Sequence, residues 1–359
     1  MKILDRYLAR EMFLPLVAGL AGFVLLMLGN VLYIHWSLLR EVGASTALVA
    51  RLIALRAPEV AWYGLPFAAL LAAAWSMNRL GRDSELVAFR MAGVPLRRLL
   101  LAPMLVAAAV SVAAYVNGEH LVPWANHKAE SMMRRMLLGH ASPVPLERVF
   151  FHVPPHFYLY IETVDPRTRH FSNVLIYELN PRGYPAVQTA ESGYFKGTEL
   201  VLLNGVRHQF TERGRWLFEA EFKRARVNLK QAVSEILAEQ KTPREMRSGE
   251  LRQYISVFDK AGVDVQPMLV EYHFKFALSF APLVATLLAA PLSIRFAGRG
   301  SVTGMMLAFA LAFTYQVLMS WAKILGQSGI MPAALAAWSQ NLIFAGLGIL
   351  LIARQEAGG

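Results

Sequence analysis

The chain reads as a membrane α-helical protein, three transmembrane helices and then three more, with an all-β domain inserted between the triplets. Three observations predict this class. The first is a set of six uncharged apolar runs: Met12–Ile34, Val60–Asn78, Leu99–Gly118, Phe276–Ile294, Ser301–Ala322 and Ile324–Ala353. Each matches or exceeds the roughly 20 residues that a helix needs to cross a ~30 Å hydrocarbon core. The second is composition: 55% hydrophobic residues and a mean hydropathy of +0.38, more apolar than ordinary soluble domains. The third is the long polar, β-patterned stretch between the third and fourth runs.

The first run, at about 23 residues, is too long for a signal-peptide core. No small-x-small cleavage pattern follows it, so it is expected to stay as the first membrane helix. Arginine placement orients the set. Lys2, Arg6 and Arg10 precede the first run, Arg79, Arg82, Arg90, Arg97 and Arg98 lie between the second and third, Arg295 and Arg299 between the fourth and fifth, and Arg354 after the sixth. The opposite connections carry Arg40, Arg51, Arg56 and Lys323. The positive-inside rule then puts both termini and the 79–98 loop in the cytoplasm. The long insert falls on the outer face, where its own charge does not count. The net charge of +11 gathers at the ends of apolar runs rather than on one soluble face, which points away from nucleic acid. With no cysteine, the outer domain must be held by its own core.

Within the insert, Val149–Val153, Tyr158–Val164, Asn173–Leu179, Ala186–Ala190 and Trp216–Phe222 read as strands between turn signals at 165–167, 180–183 and 212–214. Asn204-Gly205 between apolar residues predicts a tight hairpin turn. Eight or so such strands suggest a small sandwich, a jelly roll or an open barrel. After them, Ser248 is placed to cap a helix carrying Leu251, Ile255 and Phe258 on one face. The organisation is therefore helices 1–3 over 1–125, the β domain with its helical connector over 126–262, and helices 4–6 over 263–359.

The 79–98 loop holds the most pointed sequence on the cytoplasmic side. Ser84 or Asp83 can cap a helix starting near Glu85, with Leu86, Phe89 and Arg90 on one side and Gly93 then Pro95 ending it. Two readings fit this helix of about 83–94. It is an amphipathic turn lying in the headgroups, or a coupling helix seated in a groove of a cytoplasmic ATPase, with Glu85 meeting a cation across the interface. Around the outer ends, His35, Arg40, Arg51, Arg56 and Lys323 either snorkel to the interface or form a basic rim for a lipid phosphate.

Other chemistry is not expected. Gly298–Gly304 lacks the lysine of a phosphate-binding loop, so the chain itself does not hydrolyse ATP. Pro154 and Pro155 between His152 and His156 forbid the helix that would bring both to one metal, and no catalytic constellation stands out. The apolar runs hold no carboxylate, which argues against an ion-coupled carrier.

Four segments resemble the LptF/LptG (YjgP/YjgQ) permease family: Ile3–Glu11; Asp83–Gly93, similar to the family's coupling-helix pattern; Glu250–Ile255 with Glu271–Lys275; and Ala290–Ser293 before a glycine-rich loop. The resemblance spans the chain. It implies a subunit of an ABC transporter in the bacterial inner membrane. That subunit pairs with a paralogous LptF/LptG-type chain, or a second copy of itself, over two copies of the ATPase LptB, which uses ATP and Mg. The complex extracts lipopolysaccharide and passes it through a periplasmic β-jellyroll domain to LptC-like and LptA-like jellyrolls. Matched onto this sequence, Glu85 is the coupling carboxylate, with Ser84, Leu86, Phe89, Arg90 and Gly93 around it. Helices 1 and 5 form the lateral gate. Lys323, His35 and Arg40 fall where the family meets lipid phosphates, and the strand residues Phe151, Tyr158 and Tyr160 are expected to shield acyl chains. No cofactor is implied for this chain. The competing expectations are a non-transporting envelope scaffold or mechanotransmitter, and a permease for a different amphipathic lipid.

Overall fold

The structure, a computed structural model, describes residues 3–41, 45–139, 149–153, 157–164, 170–178, 186–196, 199–211, 215–228, 241–260, 264–296 and 301–357. Two compact units emerge. One is Met1–Arg40, Ala44–Asn126 and Thr242–Gly359, and the other is Glu41–Gly43 and His127–Lys241.

The first unit is helical. α1 is Ile3–Glu41, α2 Thr46–Arg82, α3 Glu85–Met91 and α4 Leu96–Val116, and the helix continues through a π turn at Asn117–Leu121 into α5, Val122–Gly139, which belongs to this unit only as far as Asn126. After the β strands come α6 (Ser248–Lys260), α7 (Gln266–Phe296), α8 (Ser301–Gln327) and α9 (Ala333–Ala357). Among the described residues, six helical segments are long and apolar enough to span a membrane. The helices outrun the apolar stretches because their polar ends are good helix formers and carry caps. Ser45, for example, receives the Leu48 amide at 3.4 Å and starts α2 well before Val60.

The third run does not end at Gly118 as its composition suggests. The π turn absorbs an extra residue there, a habit of π bulges inside long helices. Asn117 Nδ2 donates to the Pro58 carbonyl at 2.9 Å, and Gly118, lacking a side chain, lets the helix pass the Trp62 ring. Small buried residues of α7, including Ala277, Ala281, Ala285 and Ala289, bring neighbouring helices close. Polar groups then stitch them. Tyr315 donates to Asn341 at 2.8 Å, Asn341 donates to the Ala277 carbonyl at 2.7 Å, and Trp62 donates to Ser279 at 3.4 Å.

Among the described residues, the second unit carries one antiparallel sheet. Its strands are β1 (Val149–Val153), β2 (Phe157–Val164), β3 (His170–Glu178), β4 (Ala186–Lys196), β5 (Glu199–Phe210) and β6 (Trp216–Asn228). These described strands lie in chain order, each paired with the next, as in a meander. The turn signals at 165–167, 180–183 and 212–214 lie outside the described residues. Leu159, Ile161, Phe171, Val174, Ile176, Leu200 and Leu202 form the domain's buried cluster.

Asn204-Gly205 is not a hairpin turn; it lies inside β5. Asn204 does have the positive φ, 50°, that an Asn-Gly turn requires, but here that conformation makes a crease. Ile161, Val174, Ala190, Gly205 and Phe222 pair in one row, and Thr163, Ser172, Ser192, Leu203 and Arg224 in another. Between these rows Glu162, Asn173, Glu191, Asn204 and Lys223 hold no register partner. The register is the same on both sides of this unpaired row, while in β3 and β4 the buried positions change parity across it, Phe171 against Val174 and Ala190 against Gly193. Asn173, at φ 54°, and Asn204 supply the left-handed residues. They donate to Glu162 at 2.6 Å and to Glu191 at 3.3 Å. Asparagine tolerates this region, whereas a β-branched residue does not. Asn204→Val is expected to destabilise the β unit by about 1–2 kcal/mol, read as faster limited proteolysis of that unit in the intact chain.

Candidate functional site

At the end of the helical unit that holds both termini, α3 forms a two-turn helix on the side of α1, α2 and α4. Leu86 joins the buried cluster of Leu8, Met12, Leu80 and Leu96, and Phe89 packs against it. Val87, Arg90 and Met91 are exposed. Arg90 thus sits on the outward side rather than beside Leu86 and Phe89. The expected Ser84 cap does not form. Ser84 has φ 60°, and its side chain makes no capping bond, because an N-cap accepts the N2 or N3 amide from an extended backbone. At the other end Gly93, at φ 76°, is the left-handed stop that the sequence predicts.

The Glu85 carboxylate is half-buried and engaged within the chain. The Tyr7 hydroxyl donates to it, 2.9 Å from one carboxylate oxygen and 2.8 Å from the other. Two further ties leave α1 nearby. Asp5, nearly buried, pairs with both terminal nitrogens of Arg98 at 2.6 and 3.0 Å, the bidentate geometry that arginine favours. Glu11 pairs with Arg79, which also reaches Asp83 at 3.4 Å. Sequence reasoning identified Glu85 but missed Asp5, Tyr7 and Glu11. Polar residues in the first turns of an otherwise apolar helix were the available signal.

Toward the other end of the same unit, Lys323 is not an open cation. Its ammonium lies 2.8 Å from Glu271 and 5.1 Å from the centroid of the Phe274 ring. Glu271 is shared: Arg244 approaches it at 3.6 Å and Gln327 at 3.5 Å. Burial works against the Arg244 charge, but Glu271 above all holds its guanidinium above its ordinary value. The return segment is fastened around this carboxylate. Lys275 donates to the Met246 carbonyl, and Glu119, from the π turn, accepts the Ser248 amide at 3.0 Å and its hydroxyl at 2.7 Å. Ser248 is therefore spent on Glu119 rather than on capping α6, while Leu251, Ile255 and Phe258 are buried as predicted. Arg56 reaches Glu59 and Asn126 at 3.5 Å each. Arg40 is exposed in the last turn of α1. The His35 side chain lies outside the described residues.

An apolar cavity of about 500 Å³ opens between α1, α2 and α8, lined among others by Gly19, Gly22, Phe23, Phe67, Trp75 and Phe309. Its small residues leave the room and its aromatic rings form the walls, Phe23 and Phe67 lying 5.0 Å apart.

In the β unit, Tyr160 lines a groove of about 750 Å³ on the sheet, bordered by Glu162, Asn173, Glu191, Asn204 and Lys223 of the crease. Tyr158 is half-buried, and burial raises its phenol above the ordinary value. Phe151 pairs with Leu159, whereas Tyr160 pairs with Phe150 and Leu175, so the three residues expected to shield lipid do not share one row. The Phe151 side chain is outside the described residues, as is His156. Among the described residues no cluster of three or more His, Asp or Glu is placed to hold a metal ion.

Comparison with known proteins fits this architecture. A family model described as "Lipopolysaccharide export system permease LptF/LptG" matches residues 6–354. The lipopolysaccharide export system permease protein LptF of Escherichia coli K12 is 25% identical over 363 residues, covering 97% of this chain and 94% of that protein. LptF of Shigella flexneri matches at the same identity and coverage. A six-span helical unit interrupted by a β domain, matched by the family over nearly its whole length, makes this chain a member of the LptF/LptG family of lipopolysaccharide export permeases.

Proposed function

We propose that this chain is one half of the membrane channel of an ABC transporter in the bacterial inner membrane. The transporter extracts lipopolysaccharide and delivers it to a periplasmic bridge, and ATP is hydrolysed by a separate cytoplasmic subunit of the LptB type, present twice. The second half is a paralogous LptF/LptG-type chain or another copy of this one. The bridge is built from LptC-like and LptA-like jellyroll proteins. Both termini and α3 face the cytoplasm and the β unit faces the periplasm, a reading supported by the arginine-rich connections.

The observation that carries the ATPase assignment is α3 itself. It is a short helix seated on the core through Leu86 and Phe89, and it presents Val87, Arg90 and Met91 outward. Such a surface, apolar with one cation, suits the groove of a soluble partner. ATP binding favours the closed partner dimer, and α3 carries that preference into the helices as a population shift. The lipid in a cavity between the two permease halves is then expelled toward the β unit. The experiment is co-purification of the tagged chain in mild detergent, with bound proteins and lipids identified by mass spectrometry. An LptB-type ATPase together with lipopolysaccharide supports the reading. A different lipid changes the cargo, and an intact preparation with no ATPase favours a scaffold.

At the outer end, Glu271 occupies the cation that a lipid phosphate would use. Glu271→Gln is expected to raise lipopolysaccharide retention by the purified complex about threefold, and Lys323→Ala to lower it, consistent with a single charge-assisted contact. Quantifying bound lipid per complex checks both.

A further inference from the structure

We infer that Tyr7 is a positioning residue that fastens the coupling helix to α1, so that displacement of α3 is delivered directly to α1. The inference rests on the reading of α3 as the ATPase contact.

The covalent joints of α3 are left-handed residues at both ends. Ser84, at φ 60°, leads in from α2, and Gly93, at φ 76°, leads out toward α4. α1, by contrast, is distant in sequence, and Tyr7 and Glu85 are 78 positions apart. α1 is tied at its foot to three different elements. Asp5 holds Arg98 of α4, Glu11 holds Arg79 of α2, and Tyr7 holds Glu85 of α3. Leu8 and Met12 are fully buried at the same level. Beyond the foot the helix is loosely attached: only 6% of its most apolar window is buried within the unit. Leu25, Leu26 and Tyr33 are exposed. A long helix gripped at its foot, resting on α2 through Gly19 and Phe23 and exposed beyond them, is a lever, and a shift of its base is carried to its outer part.

The chemistry of the tie suits this task. The hydroxyl supplies one proton, leaving most of the acceptor positions of the carboxylate unused. Glu85 can therefore keep Tyr7 while it accepts from a cation of the ATPase, and a single carboxylate then joins partner and lever. α1 and α8 both line the apolar cavity, so a tilt of α1 alters the volume available to an acyl chain there.

The test is made on the whole transporter complex, reading lipid released per ATP hydrolysed. Tyr7→Phe keeps the ring and removes the donor, and is expected to lower that ratio about fivefold or more, the size of an ordinary coupling free energy. 4-Aminophenylalanine at position 7 restores an N–H donor and is expected to recover most of the loss. Because the chain has no native cysteine, a spin label at Leu25→Cys, attached before the complex is reconstituted, marks no other position of this chain; its nucleotide-dependent change should fade in Tyr7→Phe. An unchanged ratio in Tyr7→Phe, or no recovery with the amino analogue, overturns the inference, as does a Tyr7→Phe chain that no longer assembles, which would make the tie structural. Glu85→Lys separates the two levels. If it abolishes export while Tyr7→Phe is normal, the ATPase reading stands and the lever falls. If Glu85→Lys also exports normally, Glu85 has no part in coupling, and co-purification of the ATPase with that variant decides whether α3 is its contact.

Discussion

Glu85→Lys is expected to reduce lipid export by the assembled transporter about a hundredfold or more. Two losses combine. The variant places an ammonium where a carboxylate should face a partner cation, and like charges brought together at an interface cost several kcal/mol; about 3 kcal/mol is already a hundredfold. It also replaces the acceptor of the Tyr7 hydroxyl, so the foot of α1 loses its hydrogen bond to α3 and keeps only the apolar packing of Leu86 with Leu8 and Met12. Leu86 and Phe89 remain to seat the helix on the core, so the chain should still insert and fold. The measurement is export in cells depleted of the parent protein, alongside the amount of ATPase that co-purifies with the variant. Normal export would remove Glu85 from coupling.

Gly118→Ala is expected to destabilise the helical unit by about 3 kcal/mol, near the upper end for overpacking a close contact. A Cβ at this position would lie 2.5 to 2.8 Å from three atoms of the Trp62 indole. The ring is held by its own hydrogen bond to Ser279 and is packed among buried residues, so it has little freedom to retreat. The matched control is Gly22→Ala. No atom lies within 4 Å of a Cβ built there, and alanine is the better helix former by roughly 1 kcal/mol. Thermal unfolding of the two variants in detergent should move in opposite directions or leave Gly22→Ala unchanged. Equal shifts would mean that the close passage at the π turn carries no strain.

What the sequence revealed, and what it hid, follows from the range of the interactions. The six spans were legible because apolar length is a local property set by the bilayer. α3 was legible because Leu86, Phe89, Gly93 and Pro95 write its face and its end within a dozen residues. Asn204-Gly205 misled because its dipeptide specifies a positive φ and not a chain reversal. Whether that φ makes a turn or a crease depends on Asn173 and the neighbouring strands. Gly118 misled similarly: glycine signals a helix end unless a ring on another helix, here Trp62, requires close approach. The ties Tyr7–Glu85 and Lys323–Glu271 join helices far apart in the chain, and no local pattern announces them. Glu271 itself stood just before an apolar run, where it read as a flank rather than as the shared partner of Lys323 and Arg244.

On the function proposed above, this chain moves lipopolysaccharide at the expense of ATP hydrolysed by a partner. The most direct measurement uses the complex that co-purifies with the tagged chain, placed in vesicles containing lipopolysaccharide, with a soluble jellyroll acceptor carrying a photocrosslinker outside. The account predicts that acceptor–lipopolysaccharide adducts accumulate with time only when ATP is present, and that Glu85→Lys prevents them. Adducts that form equally without ATP, or none from a complex that hydrolyses ATP, would contradict it.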